Sequence, residues 1–309
     1  MSSIDEFKKV LMIWPPGLQL LLLLLLAFTG VSFALLIADV ILEAFFGVAN
    51  VQALLLDLDE DISLESINAL KVFNMITSAA FFLFSTLVFA WITQEDGEEF
   101  LKIRTKPGIL LPVVGVVLMI MTIPSTIWLG ELNNAMSFPA SMKAIEDFLR
   151  TQEEETQKIY ELFLKVGTTQ SLYADLIIMA AIPALGEELF FRAGIQQLFT
   201  NWTKKPFLAI LFTAVLFSAI HGQFFGFLPR VFLGMVLGYL FLWSNNLWVS
   251  IIAHFCYNSF LILMVYMYQK EVINYNIDSA DAFPAITVLI SIPFIFGLLY
   301  WLYNVSIRK

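Results

Sequence analysis

Long apolar stretches recur along the chain and are separated by short polar segments. A helix needs about 20 mostly apolar residues to cross about 30 Å of hydrocarbon. By this criterion the pattern predicts an all-α, polytopic helical bundle with about eight membrane-spanning helices. The predicted spans are Gly17–Phe46, Leu70–Ile92, Gly108–Leu129, Leu172–Phe199, Pro206–His221, Phe227–Trp243, Leu247–Tyr268 and Phe283–Tyr303. The fifth and sixth are short, and the turn that they share could dip into the membrane.

The third loop, Gly130–Ser171, is the only sizeable polar segment of the sequence. Its apolar residues recur at helical spacing, which predicts one or two amphipathic helices on the outer surface. These residues are Ile145, Phe148, Leu149, Ile159, Leu162 and Phe163. Two roles remain open for this segment, a solvated cap over the bundle and a substrate-docking element.

Composition supports a membrane protein. Hydrophobic residues make up 59% of the chain and charged residues 14%, against about 45–50% and about 25% in soluble domains. The net charge of −9 argues against nucleic acid as a partner, because phosphate binding needs clustered Lys and Arg. The single cysteine, Cys256, cannot form an intramolecular disulfide. The run Leu20–Leu26 continues apolar to about Phe46, which predicts a retained first span rather than a cleaved signal peptide.

Basic residues beside the spans predict the orientation of the chain. With eight spans, one side carries Lys8, Lys9, Lys102, Arg104, Lys106, Lys204, Lys205, Arg308 and Lys309. Cytoplasmic loops are enriched in Lys and Arg, so we expect this side and both termini to be cytoplasmic. The bias is incomplete, since Lys71 and Lys270 fall on the other side. Acidic runs at 57–61 and 153–155 in the outer loops say little about orientation.

Three ionisable residues, Glu187, Glu188 and Arg192, lie in the predicted fourth span, within PALGEELFFRAGIQQLF. Each costs about 2.5–3.5 kcal/mol at the centre of a bilayer, and such residues are commonly functional. Glu188 and Arg192 are four residues apart and can pair on one helix face. Glu187 is rotated by about 100° and can point into a neighbouring cavity. The structural alternative is a buried ion cluster that only holds helices together.

The chain has two histidines, and both lie in apolar spans. His221 ends the sequence Phe217-Ser-Ala-Ile-His221, and His254 precedes Asn258 by one helical turn. At about 1.5 Å per residue, Glu188 and both histidines lie about 10–23 Å from the predicted cytoplasmic ends of their spans. A shared polar pocket is therefore geometrically possible. Two histidines, two carboxylates and an amide suit either a metal that activates water or a metal-free acid/base pair.

Other intramembrane protease signatures are missing from the sequence. It contains no HExxH zinc motif, no Gly-x-Gly-Asp as in presenilin-like aspartyl proteases, and no Gly-x-Ser with a partner histidine as in rhomboids.

Three short motifs follow one another on three spans: Glu187-Glu188-x-x-x-Arg192, Phe217-x-x-x-His221 and His254-x-x-x-Asn258. In this order the sequence resembles the CPBP (Abi) family, which includes CAAX prenyl endopeptidases of the Ras-converting type and bacteriocin-processing or self-immunity proteins. The resemblance covers about Leu172–Met264.

The resemblance implies roles for these residues. Glu187 acts with His221 to hold and activate the attacking water. His254 and Asn258 are placed to stabilise the oxyanion of the tetrahedral intermediate.

Glu188 and Arg192 complete and orient the site, so all six motif residues form the candidate catalytic set. A zinc requirement is contested for the family. If a metal is used, its expected ligands are Glu187, His221 and His254, and a metal-free mechanism stays open.

The sequence therefore predicts an intramembrane endopeptidase that hydrolyses a peptide bond of a membrane-associated protein or peptide. We expect it in the lipid bilayer of a bacterial cytoplasmic membrane. The predicted regions are 1–171, with three spans and the helical outer loop, 172–268, the CPBP-like catalytic core, and 269–309, the last span. The alternatives are a non-proteolytic scaffold or regulator and, less favoured, a proton-coupled transporter.

Other polar residues in the spans receive no catalytic role. Cys256 faces away from His254 and is expected to be a small buried thiol. Asp39 and Glu43 are expected to be interface or cavity-lining groups. Asp175 and Arg230 could join the same aqueous vestibule.

Overall fold

The computed structural model describes residues 3–48, 50–56, 62–165, 169–275, 277 and 283–308. Within these ranges the chain is helical and contains no strand. The helices are α1 (Ser3–Met12), α2 (Pro16–Phe46), α3 (Val51–Leu56), α4 (Leu64–Thr93), α5 (Gly97–Phe100), α6 (Leu110–Asn134), α7 (Lys143–Leu164), α8 (169–203), α9 (Pro206–Ala219), α10 (Phe227–Ser244), α11 (Leu247–Gln269) and α12 (Ala285–Ser306). The acidic run at 57–61 and Lys309 lie outside the described residues.

The all-α, polytopic class is confirmed. Among the described residues, six helices are long and apolar enough to cross a membrane: α2, α4, α6, α10, α11 and α12. The predicted fourth and fifth spans are also helical, as α8 and α9. Helix α9 is a shorter apolar helix of 14 residues, about 21 Å long.

The polar third loop contains one amphipathic helix, α7, where one or two were predicted. Its apolar residue Phe163 packs into a cluster with Leu42 of α2 and Leu70 of α4. Near its other end, Glu146 accepts from the backbone N–H of Phe138 at 3.2 Å, and Arg150 donates to Oδ1 of Asn134 at 3.4 Å. Helix α7 is therefore held to neighbouring parts of the chain near both of its ends.

Helix α8 contains two π-helical segments, Leu176–Ala181 and Glu188–Gln196. A π segment hydrogen-bonds from residue i to i+5, which widens the turn, and such segments are frequent at functional sites. All nine residues of Glu188–Gln196 are buried. The helix contacts α2, α4, α9, α10 and α11, so its ionisable residues lie in the interior of the bundle.

Small residues let α9 and α10 approach each other closely. A Cβ at Gly234 would lie 3.0 Å from the backbone Cα of Ala214, and one at Gly238 would lie 2.9 Å from Cγ2 of Ile210. Gly234 and Gly238 form a Gly-x-x-x-Gly motif, which is typical of tight helix pairs in membranes. The close approach places the turn after α9, which holds His221, beside the start of α10.

Candidate active site

Glu188 and Arg192 form the ion pair that their spacing predicts. Arg192 Nη1 lies 3.0 Å from Glu188 Oε1, and the two side chains are 1% and 0% exposed. Arg192 also donates to the backbone oxygen of Gly234 at 3.4 Å. The pair thus links α8 to α10 in the interior.

Glu188 also fixes His254. The Nδ1 of His254 lies 2.9 Å from the same carboxylate oxygen, Oε1. The same oxygen is also in the ion pair with the guanidinium of Arg192, so Nδ1 is assigned as the hydrogen-bond donor. The other ring nitrogen, Nε2, is left with a lone pair in the neutral ring, and it lies 3.9 Å from Oε2 of Glu187.

The tautomer of His221 is set in a similar way. Its Nδ1 lies 2.7 Å from the backbone oxygen of Phe217, and a carbonyl oxygen only accepts hydrogen bonds. In neutral His221 the Nε2 therefore carries a free lone pair, so it can accept a hydrogen bond. The ring of Phe217 contacts the rings of both histidines, with centroids 5.0 Å from His221 and 6.3 Å from His254, and this packing restrains their orientation.

Four of the six predicted site residues line one cavity of about 410 Å³. They are Glu187, His221, His254 and Asn258. Glu188 and Arg192 are buried behind them, where they hold His254 in place. The three motifs are thus brought together in space, and Glu187, which is 9% exposed, is the carboxylate that faces the cavity.

The donor atoms of this cavity suit zinc in type, since two imidazole nitrogens and a carboxylate form a common zinc set. Their arrangement does not fit as it stands. Throughout the part of the chain that the structure describes, no group of three His, Cys, Asp or Glu side chains is arranged to hold a metal ion. We therefore derive no chemical step through a metal.

The other polar residues of the spans divide between the cavity and distant positions. Arg230 lines the cavity, as the vestibule hypothesis predicted. Asp175 instead pairs with Lys71 at 2.5 Å, with side chains 0% and 5% exposed. Asp39 and Glu43 are exposed on α2 and do not line the cavity. Sequence analysis left Lys71 unpaired, although two ionisable residues of opposite charge in apolar segments were a signal for this pair.

Cys256 also stays out of the cavity. Its free thiol is partly buried, as expected for a small packing residue.

Helix α7 supplies part of the cavity wall through Thr156, Gln157 and Tyr160. Glu153 of the same helix accepts from Nε2 of Gln223 at 2.9 Å. Sequence analysis left these residues unassigned, because the amphipathic pattern predicts which face of a helix is buried without specifying its partner.

Comparison with known proteins finds a family similarity for the segment that contains the candidate residues. Residues 169–260 match the family model described as type II CAAX prenyl endopeptidase, Rce1-like. All six candidate residues lie within the matched segment. No curated protein and no solved structure matches the chain significantly. The six apolar helices and this match support an integral membrane protein and, in general terms, a CAAX-type protease. Residues 169–260 are thus similar to the Rce1-like type II CAAX prenyl endopeptidases, in keeping with a CPBP, CAAX protease-like family.

Proposed function

We propose that the chain is an intramembrane endopeptidase that hydrolyses a peptide bond of a membrane-associated protein or peptide. The observation that carries the proposal is the single cavity that presents Glu187, His221, His254 and Asn258 together. A carboxylate base and hydrogen-bonding groups around one space are the components of water-mediated peptide hydrolysis.

In this mechanism Glu187 and His221 hold the attacking water. As the water oxygen bonds to the peptide carbonyl carbon, Glu187 takes a proton from it. The intermediate then breaks its C–N bond, and the leaving amine receives that proton from Glu187. The products are a carboxylic acid and an amine, which become a carboxylate and an ammonium group once the acid's proton passes to the amine.

The oxyanion of the intermediate is stabilised by the Asn258 side-chain amide and by His254. His254 presents an N–H at Nε2 when both ring nitrogens carry a proton, while its Nδ1 stays hydrogen-bonded to Glu188. Oxyanion donors of this kind contribute about 10²–10³-fold to the rate.

Substitution of the water-activating residues tests the mechanism. We expect Glu187→Gln and His221→Ala to lower cleavage by at least about 10²-fold, while both variants insert and purify like the wild type. The measurement is cleavage of a defined peptide pool by the reconstituted full-length protein, followed by mass spectrometry. Glu43→Gln, which changes an exposed carboxylate on α2, is the matched control. Retention of wild-type cleavage by both variants would show that the mechanism is wrong.

The metal requirement is settled by a separate measurement on the same protein. Zinc, if bound, would be held by Glu187, His221 and His254 and would lower the pKa of the attacking water. Loss of cleavage on chelation, with recovery on addition of zinc, would support this set. Unchanged cleavage after chelation, with no metal found in the purified protein, would support Glu187 as a metal-free base.

The physiological substrate can be sought with the inactive protein. Membrane proteins or peptides that accumulate uncleaved in cells producing Glu187→Gln, but not in cells producing the wild type, are substrate candidates.

A further inference from the structure

Two cavities meet at the proposed reaction centre. The first, which we call the polar cavity, is the 410 Å³ space described above and is also lined by Gln157, Gln223 and Arg230. The second, the apolar cavity, has a volume of about 360 Å³ and is lined by apolar residues that include Ile159, Phe163, Ile178, Met179 and Ile220. Four residues line both cavities: Thr156, Tyr160, Glu187 and His221.

Helix α7 covers the place where the two cavities meet, because its residues Thr156 and Tyr160 line both of them. It is held there by Glu153, whose Oε1 accepts from Gln223 Nε2 at 2.9 Å and whose Oε2 accepts from the backbone N–H of Phe225 at 3.2 Å. The polar cavity lies on one side of Glu187 and His221 and the apolar cavity on the other, and α7 covers both. This arrangement suits an extended peptide whose scissile bond lies beside Glu187 and His221.

Arg230 is the cation of the polar cavity. It lies in the first turn of α10, and its guanidinium donates to the side-chain oxygen and the backbone oxygen of Gln223. Among the described residues, no carboxylate lies within the 4.0 Å of an ion pair with Arg230. The carboxylate of Glu153 accepts its hydrogen bonds from Gln223 and Phe225 rather than from Arg230.

The charges of Glu153 and Glu187 act on Arg230 only from beyond the distance of an ion pair. A half-buried cation with no carboxylate in direct contact gains from a ligand that supplies one. The planar guanidinium matches a carboxylate, with which it can form two parallel hydrogen bonds. Its position in the first turn of a helix adds to this, because the positive end of the helix dipole also attracts anions.

We infer that Arg230 determines specificity by binding a carboxylate of the substrate. This inference rests on the proposed endopeptidase function. The substrate lies extended under α7, with an apolar side chain in the apolar cavity and the carboxylate in the polar cavity. The carboxylate belongs either to the end of the substrate chain or to an Asp or Glu side chain.

The test uses the full-length reconstituted protein and synthetic apolar peptides of equal length. One pair ends in a free carboxylate or an amide, and another pair carries an internal Asp or Asn. We expect the wild type to cleave at least one acidic peptide about tenfold better than its neutral counterpart, mainly through a lower KM. In Arg230→Gln the ratio should fall to about one, and Arg230→Lys should restore part of it. The pair that shows the preference identifies the source of the carboxylate.

Gly226→Ala provides a second variant that leaves Arg230 in place. A Cβ at Gly226 would lie 2.5 Å from Nη1 of Arg230, so the guanidinium must move. We expect the acidic preference to weaken in this variant as well.

Equal cleavage of acidic and neutral peptides by the wild type, or an unchanged preference in Arg230→Gln, would overturn the inference. If the wild type cleaves no peptide, the proposed function fails separately. Binding of fluorescently labelled versions of the same peptides to the Glu187→Gln protein then tests the role of Arg230 separately from cleavage. An acidic preference that disappears in Glu187→Gln/Arg230→Gln supports the inference, and equal binding of acidic and neutral peptides contradicts it.

Discussion

Glu187 and Glu188 are neighbours in the chain with different surroundings. Glu188 is fully buried and binds Arg192 and His254 through one oxygen. Glu187 faces the cavity, with His254 Nε2 3.9 Å away. The structure therefore separates a glutamate that holds the interior together from one that is available to water and substrate.

Glu188→Gln should destabilise the protein more than Glu187→Gln. Without Glu188, Arg192 becomes a buried cation that has lost the carboxylate in contact with it, and breaking a buried pair in this way costs about 3–5 kcal/mol. The measurement is thermal unfolding of the purified full-length variants, followed by tryptophan fluorescence. We expect a clear fall in Tm for Glu188→Gln and a small change for Glu187→Gln. Equal changes would contradict the division between the two residues.

At this scale the sequence predicted contacts within a helix better than contacts between helices. The spacing of Glu188 and Arg192 was enough to predict their pair. The bond from Glu188 to His254 joins residues 66 positions apart and depends on how α8 packs against α11. Spacing along one helix contains no information about that contact.

Individual helices are held by contacts that can be tested separately. Glu146 of α7 accepts from the backbone N–H of Phe138 at 3.2 Å and from Arg150 Nε at 3.0 Å. These hydrogen bonds lower the pKa of Glu146 below its ordinary value. A lowered pKa in the folded state means that the stabilisation is fully present above the unfolded pKa and is lost as the pH falls through the folded pKa.

Acidification should therefore loosen the start of α7. We expect residues 138–150 to lose protection against hydrogen exchange, measured relative to the intrinsic exchange rate at each pH, as the pH falls below about 4.3, the ordinary pKa of a glutamate. Glu146→Gln should show fast exchange already at neutral pH, because the carboxylate is missing. Glu154→Gln, at an exposed glutamate of the same helix, is the control and should behave like the wild type. Equal exchange in Glu146→Gln and the wild type at neutral pH would rule out this anchor.

The Gly-x-x-x-Gly contact predicts a second effect on stability. In Gly234→Ala the added Cβ would meet the backbone of Ala214 at 3.0 Å, and backbone cannot move aside cheaply. We expect a cost of about 1–3 kcal/mol, as for other overpacked interiors, measured as a fall in Tm. Gly130→Ala on α6 is the matched control, since a Cβ there meets nothing within 4 Å. A Tm for Gly234→Ala equal to that of the control would contradict the tight contact.

The lengths of the apolar stretches predicted where helices occur, but they did not predict how a helix accommodates ionisable residues. Helix α8 carries Glu187, Glu188 and Arg192, and its cost in lipid is lowered by burial and pairing inside the bundle. A hydropathy pattern cannot show such compensation, whereas the four-residue spacing of Glu188 and Arg192 indicated their pair.

The whole molecule has two ends separated by its long helices. Helix α6 has 25 residues, about 37 Å of helix, and it separates the loop that contains Lys106 from the segment that leads into α7. The basic residues predict that the Lys106 end is cytoplasmic and that α7 lies outside.

Cysteine labelling tests this orientation. In a Cys256→Ala background we expect an impermeant maleimide to label Glu154→Cys in intact cells and Lys106→Cys only after the membrane is opened. Both positions are exposed in the structure. The reverse pattern would place both termini and the basic loops outside. Cys256→Ala should retain cleavage, because Cys256 does not line the polar cavity.

At the scale of the molecule, the sequence predicted the class and the set of residues that meet, since three motifs on separate helices have few other ways to share a polar environment. It left open whether the outer helix is a cap or a docking element. Thr156 and Tyr160 line both cavities, so α7 covers them, and its part in substrate docking stays a proposal. No pattern within α7 itself could have shown which residues it covers.

The widened turn of α8 at Glu188–Gln196 has a consequence for its register. A segment that hydrogen-bonds from i to i+5 accommodates one residue more than the α-helix around it. Removing a single residue there would let the helix close into regular turns, and the helix beyond it would keep roughly its present direction. Removing one residue from a regular turn of α8 after Glu188–Gln196 would instead rotate everything beyond the deletion by about 100° relative to Glu187. The widened turn is therefore the part of α8 that can lose a residue while Gln196 still faces the backbone of Gly238.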